Sequence, residues 1–204
     1  IPVVAIVGYT NAGKSTLLNA ITGAGIPAND RLFDTLDTTT RLLTVSDTLD
    51  VVISDTVGFI RKLPHQLVEA FKATLEELEY ADLLLHVIDV APLDTEEDPI
   101  AAARAIVEEL RKFDPALADK PRWVVLNKMD LVPEEERANV VDKYREAFGT
   151  DVPMFAISAV TREGTEALVK AIAEDIHEQR RQLIKESEPD VRFDEDEEVF
   201  PPEG

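Results

Sequence analysis

The 204-residue chain contains no cysteine, which excludes a disulfide framework and thiol chemistry and suits a reducing cytosol. No apolar run approaches a membrane span and no signal peptide is visible, so a cytoplasmic, monomeric chain is expected. Histidines are few: His65, His86 and His177 are scattered, and without cysteines they offer no metal-site spacing. There is no internal repeat. Basic residues are scarce, 21 against 41 acidic ones, for a net charge of −20. From Lys185 to Gly204 nine acids face two bases, a net −7, which leaves −13 on the body. Such a balance argues against broad electrostatic binding of RNA or anionic membrane by this region. The chain also lacks an initiator methionine and enters its first apolar run almost at Ile1, which suggests a piece cut from a longer protein.

What is present begins with Gly8-Tyr-Thr-Asn-Ala-Gly-Lys-Ser-Thr16, a match to the phosphate-binding pattern G-x-x-x-x-G-K-[S/T]. Gly8 and Gly13 allow the tight turns that aim consecutive N–H groups at an anion, those of Asn11, Ala12 and Gly13 among them. The helix that follows adds its positive N-terminal end. Lys14 is placed to reach the β- and γ-phosphates, the Ser15 hydroxyl to meet Mg²⁺, and Thr16 to approach the α-phosphate. The apolar run Val3–Val7 before the motif reads as a buried parallel strand, and Leu17-Leu18-x-x-Ile21 after it starts a helix.

The same alternation continues down the chain. Strands are expected at Val3–Val7, Leu42–Val45, Val51–Ser54, Leu83–Ile88, Trp123–Leu126 and Met154–Ile157. Helices are expected at Lys14–Thr22, Pro64–Glu79, Pro99–Phe113, Pro133–Phe148 and Gly164–Lys185, with Pro64, Pro99 and Pro133 near helix starts. This implies a six-stranded α/β sheet, mostly parallel, with helices on both faces and its ligand at the carboxyl ends of the strands. The short link Ser46–Asp50 makes the second and third strands one antiparallel edge hairpin. The long, polar, threonine-rich stretch Ala24–Arg41 has the length of a functional loop. Residues 1–183 are read as one domain and 184–204 as an acidic tail. That tail is either solvated, or docks through Val191, Phe193, Val199 and Phe200.

Three further motifs follow strands. Asn127-Lys128-Met129-Asp130 follows Trp123–Leu126. Asp130 can accept from guanine N1–H and the 2-amino group, a donor pair adenine lacks. Asn127 would touch the purine edge and tie this loop to the phosphate loop, and the Lys128 stem would cover the base. Asp55-Thr56-Val57-Gly58 follows Val51–Ser54. Asp55 would hold Mg²⁺ through a water, and the Gly58 N–H would sense the γ-phosphate. Ser158-Ala159 follows Met154–Ile157, where the Ala159 N–H would meet guanine O6.

Gly8–Leu17, then Leu32-Phe-Asp-Thr-Leu-Asp-Thr-Thr-Thr-Arg41, then Asp55-Thr-Val-Gly-Phe-Ile-Arg-Lys-Leu-Pro-His-Gln-Leu67 and on to Phe71 together resemble the HflX family of the Obg-HflX group. The likeness runs from Val3 to about Arg180. Two departures stand in the first switch: Asp34 replaces the family's Ala, and Thr38 its Pro. Thr35 matches the threonine that closes over Mg²⁺ and the γ-phosphate. The resemblance implies a P-loop GTPase domain with Lys14, Thr35 and Gly58 at the transferred phosphoryl and Ser15 and Thr35 on Mg²⁺. It also implies slow intrinsic GTP hydrolysis to GDP, and stimulation by the large ribosomal subunit. The family's ribosome contacts lie largely in the missing N-terminal domain, and its cellular role is splitting or rescuing stalled ribosomes.

One residue is missing from the hydrolytic machinery. Many GTPases carry glutamine directly after D-x-x-G, to orient the attacking water; here Phe59 stands there, and an apolar ring cannot do this. Slow turnover is therefore expected. Asn11 either binds K⁺ in place of an arginine finger or holds loop geometry. His65 either contacts water or a partner, or caps the next helix. His86 reads as a satisfied interior histidine and His177 as an exposed one. Three functions remain open: a hydrolytic switch, a nucleotide-gated binding module, or an Obg-type GTPase with another partner.

Overall fold

The computed structural model describes residues 1–22, 39–56, 58–59, 66, 68–93 and 97–187. The strands are β1 (Val3–Val7), β2 (Thr39–Ser46), β3 (Leu49–Asp55), β4 (Leu83–Asp89), β5 (Arg122–Asn127) and β6 (Met154–Ala156). The helices are α1 (Lys14–Thr22), α2 (Val68–Glu77), α3 (Pro99–Phe113), α4 (Pro115–Asp119), α5 (Glu134–Phe148) and α6 (Thr165–Ser187). The sheet order is β2-β3-β1-β4-β5-β6. Every pairing is parallel except β2 with β3, so the hairpin read from the short link sits at one edge.

Strand periodicity sorts the core onto two faces. Val4 and Ile6 point to one side and join Leu17, Leu18, Leu168, Ile172 and Ile176 of α1 and α6. Ala5 and Val7 point to the other and join Leu75, Leu78, Leu84, Ile106 and Leu110 beside α2 and α3. A third cluster under α5 holds Ile88, Val124, Leu126 and Tyr144. Each fully buried leucine or isoleucine contributes about 1.5–3 kcal/mol relative to exposure. Only one side of the edge strand faces this core: Leu43 is 6% exposed and Leu42 57%.

The chain steps from β1 out to β2 and β3 on one side, then crosses to β4 on the other. The carboxyl end of β1 is therefore the point where strand order reverses, where open α/β sheets bind ligands. Among the described residues, the structure adds to the expected helices the short α4. Its start uses the same chemistry as that of α3. Asp98 and Asp114 each accept a backbone N–H two residues on, and Pro99 and Pro115 take the first helical positions. β2 begins three residues before the expected Leu42 because Thr39 to Arg41 pair with Asp55 to Ile53. No described helix is long and apolar enough to cross a membrane.

Candidate functional site

The phosphate loop leaves β1 at Val7 and enters α1 at Lys14. Gly13 has φ +95°, the left-handed region that favours glycine, and a Cβ there would collide with the Asn127 amide. A Cβ on Gly8 would stand 2.6 Å from the Val87 carbonyl oxygen. Close approach thus requires both glycines, and at Gly13 the backbone turn requires one as well. Lys14 is 4% exposed, and its ammonium donates to the Tyr9 carbonyl at 3.1 Å. No acidic residue lies in the first turn of α1, so the helix end and Lys14 present positive charge together, the arrangement a polyphosphate neutralises.

Gly58 and Phe59, just after β3, lie directly against this loop. Phe59 N–H donates to the Gly8 carbonyl at 2.9 Å, and Thr10 N–H donates to the Phe59 carbonyl at 3.3 Å, forming a parallel bridge between Tyr9 and Phe59. A Cβ on Gly58 would come within 2.7 Å of Thr10 Cα, so only glycine fits between the strand end and the loop. Asp55, fully buried at the end of β3, accepts a hydrogen bond from Ser15 Oγ at 3.0 Å. A hydroxyl and a carboxylate converging beside the phosphate loop form an all-oxygen donor pair, which suits Mg²⁺.

The base end is assembled from β5 and the loop after β6. Asn127 Nδ2 donates to the Ala12 carbonyl at 2.9 Å, binding this loop to the phosphate loop. Its Oδ1 accepts the Ala159 N–H at 2.9 Å. Sequence reasoning assigned that N–H to guanine O6, so a base contact through it must share the Asn127 bond. Ser158 Oγ donates to Asp130 Oδ1 at 2.8 Å, orienting the exposed carboxylate. Lys128 adopts φ 71° and carries its ammonium to the Asn11 carbonyl at 3.0 Å and to Asp89 Oδ2 at 2.9 Å. Gly13, Lys14, Ser15, Asp55, Gly58, Asn127, Lys128, Asp130, Ser158 and Ala159 thus gather at the carboxyl ends of the strands. Thr16 lies half-buried in α1, next to Ser15.

Thr35, Asp34, Thr38, most of Ala24–Arg41, Pro64, His65 and the tail 188–204 fall outside the described residues. Two residues at the site carried no signal in the sequence. Tyr9 sends its hydroxyl to the Ala102 carbonyl of α3 at 3.0 Å, and Asp89 pairs with Lys128. Each contact joins residues far apart in sequence, and neither belongs to a pattern. His177 is half-buried, not exposed, with Nε2 3.4 Å from Ser46 Oγ, because α6 packs on β2.

His86 is buried as expected but only half satisfied. Arg122, a cross-strand neighbour, donates to its Nδ1 at 3.1 Å. A guanidinium has no acceptor, so Nε2 carries the hydrogen, and that N–H has no partner among the described residues. Burial, and then the Arg122 charge, push its pKa down from 6.5 to about 3. The unfolded chain therefore binds a proton between those values that the folded chain refuses. Stability falls as pH drops below about 6.5, by up to ~1.4 kcal/mol per unit from this group. His86→Asn, which keeps an acceptor for Arg122, is expected to show a flatter melting temperature between pH 6.5 and 5. A slope equal to that of the wild type would show that His86 is not responsible.

A family model described as "50S ribosome-binding GTPase" matches residues 3–128. The GTPase HflX of Caldanaerobacter subterraneus subsp. tengcongensis is 48% identical over 188 residues, which are 92% of this chain and 38% of that protein. A GTP-binding protein from Sulfolobus solfataricus, solved in complex with GDP, superposes with a TM-score of 0.66 at 32% identity, over 85% of this chain and 51% of that one. Era, in complex with MgGDPNP and nucleotides 1506–1542 of 16S ribosomal RNA, gives a TM-score of 0.66 at 28% identity, over 85% and 56%. The chain therefore spans well under half of the HflX relative and about half of each solved structure.

Proposed function

Because the chain belongs to the 50S ribosome-binding GTPase family, we propose that it binds GTP and GDP, hydrolyses GTP slowly, and acts as a nucleotide switch on the large ribosomal subunit. The observation that carries this reading is the convergence of Lys14, the Ser15–Asp55 pair and the Asn127–Asp130–Ser158 cluster at the carboxyl ends of the strands. Lys14 and the phosphate-loop amides bind the β- and γ-phosphates, the Gly58 N–H senses the γ-phosphate, and Asp130 reads guanine. Ser15, Asp55 and Thr35 would hold Mg²⁺, which would supply charge neutralisation at the phosphates.

Slow turnover follows from Phe59. Its ring is 4% exposed and meets Phe71 edge-on at 5.1 Å, so the position where other GTPases orient water is used for packing. A partner then completes the water-orienting geometry. The HflX likeness supports the large ribosomal subunit in the cytoplasm as that partner, with stalled-ribosome splitting or rescue as the proposed outcome. Asn11 is the candidate K⁺ ligand.

The test is GTP turnover by this chain with and without purified large subunits, in K⁺ and in Na⁺ buffer. Stimulation of at least about tenfold is expected. Bound guanine nucleotide without stimulation would move the ribosome contact out of this region. Equal rates in the two buffers would remove the K⁺ role.

A further inference from the structure

The strongest feature that the motifs leave out is Asp89, the last residue of β4. It stands in register with Asn127 of β5, and Val90 N–H extends the ladder to the Asn127 carbonyl at 3.2 Å. Its two oxygens have separate tasks. Oδ1 accepts the Ala91 N–H at 2.8 Å, closing a turn that fixes the carboxylate plane. Oδ2 accepts from the Lys128 ammonium at 2.9 Å. The same ammonium donates to the Asn11 carbonyl at 3.0 Å, so one cation bridges β4, the base-reading loop and the phosphate loop.

A lysine stem is four flexible carbons, and its ammonium is strongly hydrated. Laying that stem along a base costs rotamer entropy unless the far end is already held. Here Lys128 is 30% exposed and Asp89 15%, partly shielded from solvent. The backbone is also committed, since Lys128 sits at φ 71°. We propose that Asp89 is a positioning residue for guanine-nucleotide binding: it fixes the Lys128 ammonium against the Asn11 carbonyl before the nucleotide arrives, and acts only through Lys128. This rests on the guanine-nucleotide reading above.

The experiment follows fluorescent mant-GDP on the 204-residue chain, by dissociation rate and by competition where dissociation is too fast. Asp89→Asn keeps an acceptor for Ala91 and the side-chain shape but removes the charge facing Lys128. It is expected to release mant-GDP about tenfold faster. In a Lys128→Gln background the same change is expected to have less than about a twofold effect, because its target is gone. Melting of the nucleotide-free variants separates this coupling from general loss of structure. Asp89→Asn within about twofold of wild type, or an undiminished effect in the Lys128→Gln background, overturns the proposal. A wild-type chain that binds no mant-GDP overturns the guanine reading itself, and the role of Asp89 with it.

Discussion

Asp130→Asn is expected to turn a guanine-nucleotide site into a xanthine-nucleotide site, with GDP affinity reduced by roughly 10²- to 10³-fold. The Asp130 carboxylate uses one oxygen to accept from Ser158 Oγ at 2.8 Å. That bond leaves the other oxygen and the remaining lone pairs for two donors in line, N1–H and the 2-amino group of guanine. An asparagine offers one acceptor and one donor. The donor meets the 2-amino group of guanine head-on, but pairs with the carbonyl that xanthine carries at that carbon. Ser158 tolerates either amide orientation because a hydroxyl both donates and accepts. Asp130 is exposed at the surface, so the variant should melt within about a degree of the wild type. Competition of GDP and XDP against a fluorescent nucleotide reads the result. Retained guanine preference would mean that the base is read elsewhere. Equal loss of both nucleotides would mean that Asp130 holds the loop rather than the base.

The elements around this site were legible for a physical reason. A phosphate loop needs a strand, a tight turn and a helix in immediate succession, so Val3–Thr22 carries its whole specification locally. The strands carrying Asp55 and Asn127 are short apolar runs ending in polar residues, which is how a buried parallel strand must end at a polar ligand site. The antiparallel edge followed from a link too short for a crossover. What stayed hidden depends on partners distant in sequence. Asp89 is an ordinary acidic residue until β4 and β5 pair and bring Lys128 to it. The half-satisfied state of His86 depends on Arg122 lying beside it on the next strand, and the half-burial of His177 depends on α6 covering β2. The short α4 is a different miss. Asp114-Pro115 repeats the capping signal of Asp98-Pro99, but five residues are too few for a helical periodicity to register.

Lys14→Met is expected to abolish productive phosphate binding, by about 10³-fold or more in GTP affinity, without lowering the stability of the nucleotide-free chain. The two halves of that expectation have one cause. Lys14 is 4% exposed at the first position of α1, with no acidic residue in that turn. Its ammonium donates to the Tyr9 carbonyl at 3.1 Å, one of its contacts. Burying a cation at the positive end of a helix opposes folding. A methionine of similar length removes that charge and fills the same space. In the proposed site the β- and γ-phosphates would reverse the balance, because they would pair with the ammonium and with the N-terminal amides at once. Saturating GTP should therefore stabilise the wild type by about 4 kcal/mol at a thousandfold excess over Kd, and the variant hardly at all. Melting curves with and without GTP and Mg²⁺ measure both effects in one experiment. A nucleotide-free variant that melts several degrees lower would show that the contacts of Lys14, that with Tyr9 among them, tie the loop together. A variant that melts no lower and gains nothing from GTP would show that the site holds its charge in readiness for the phosphate.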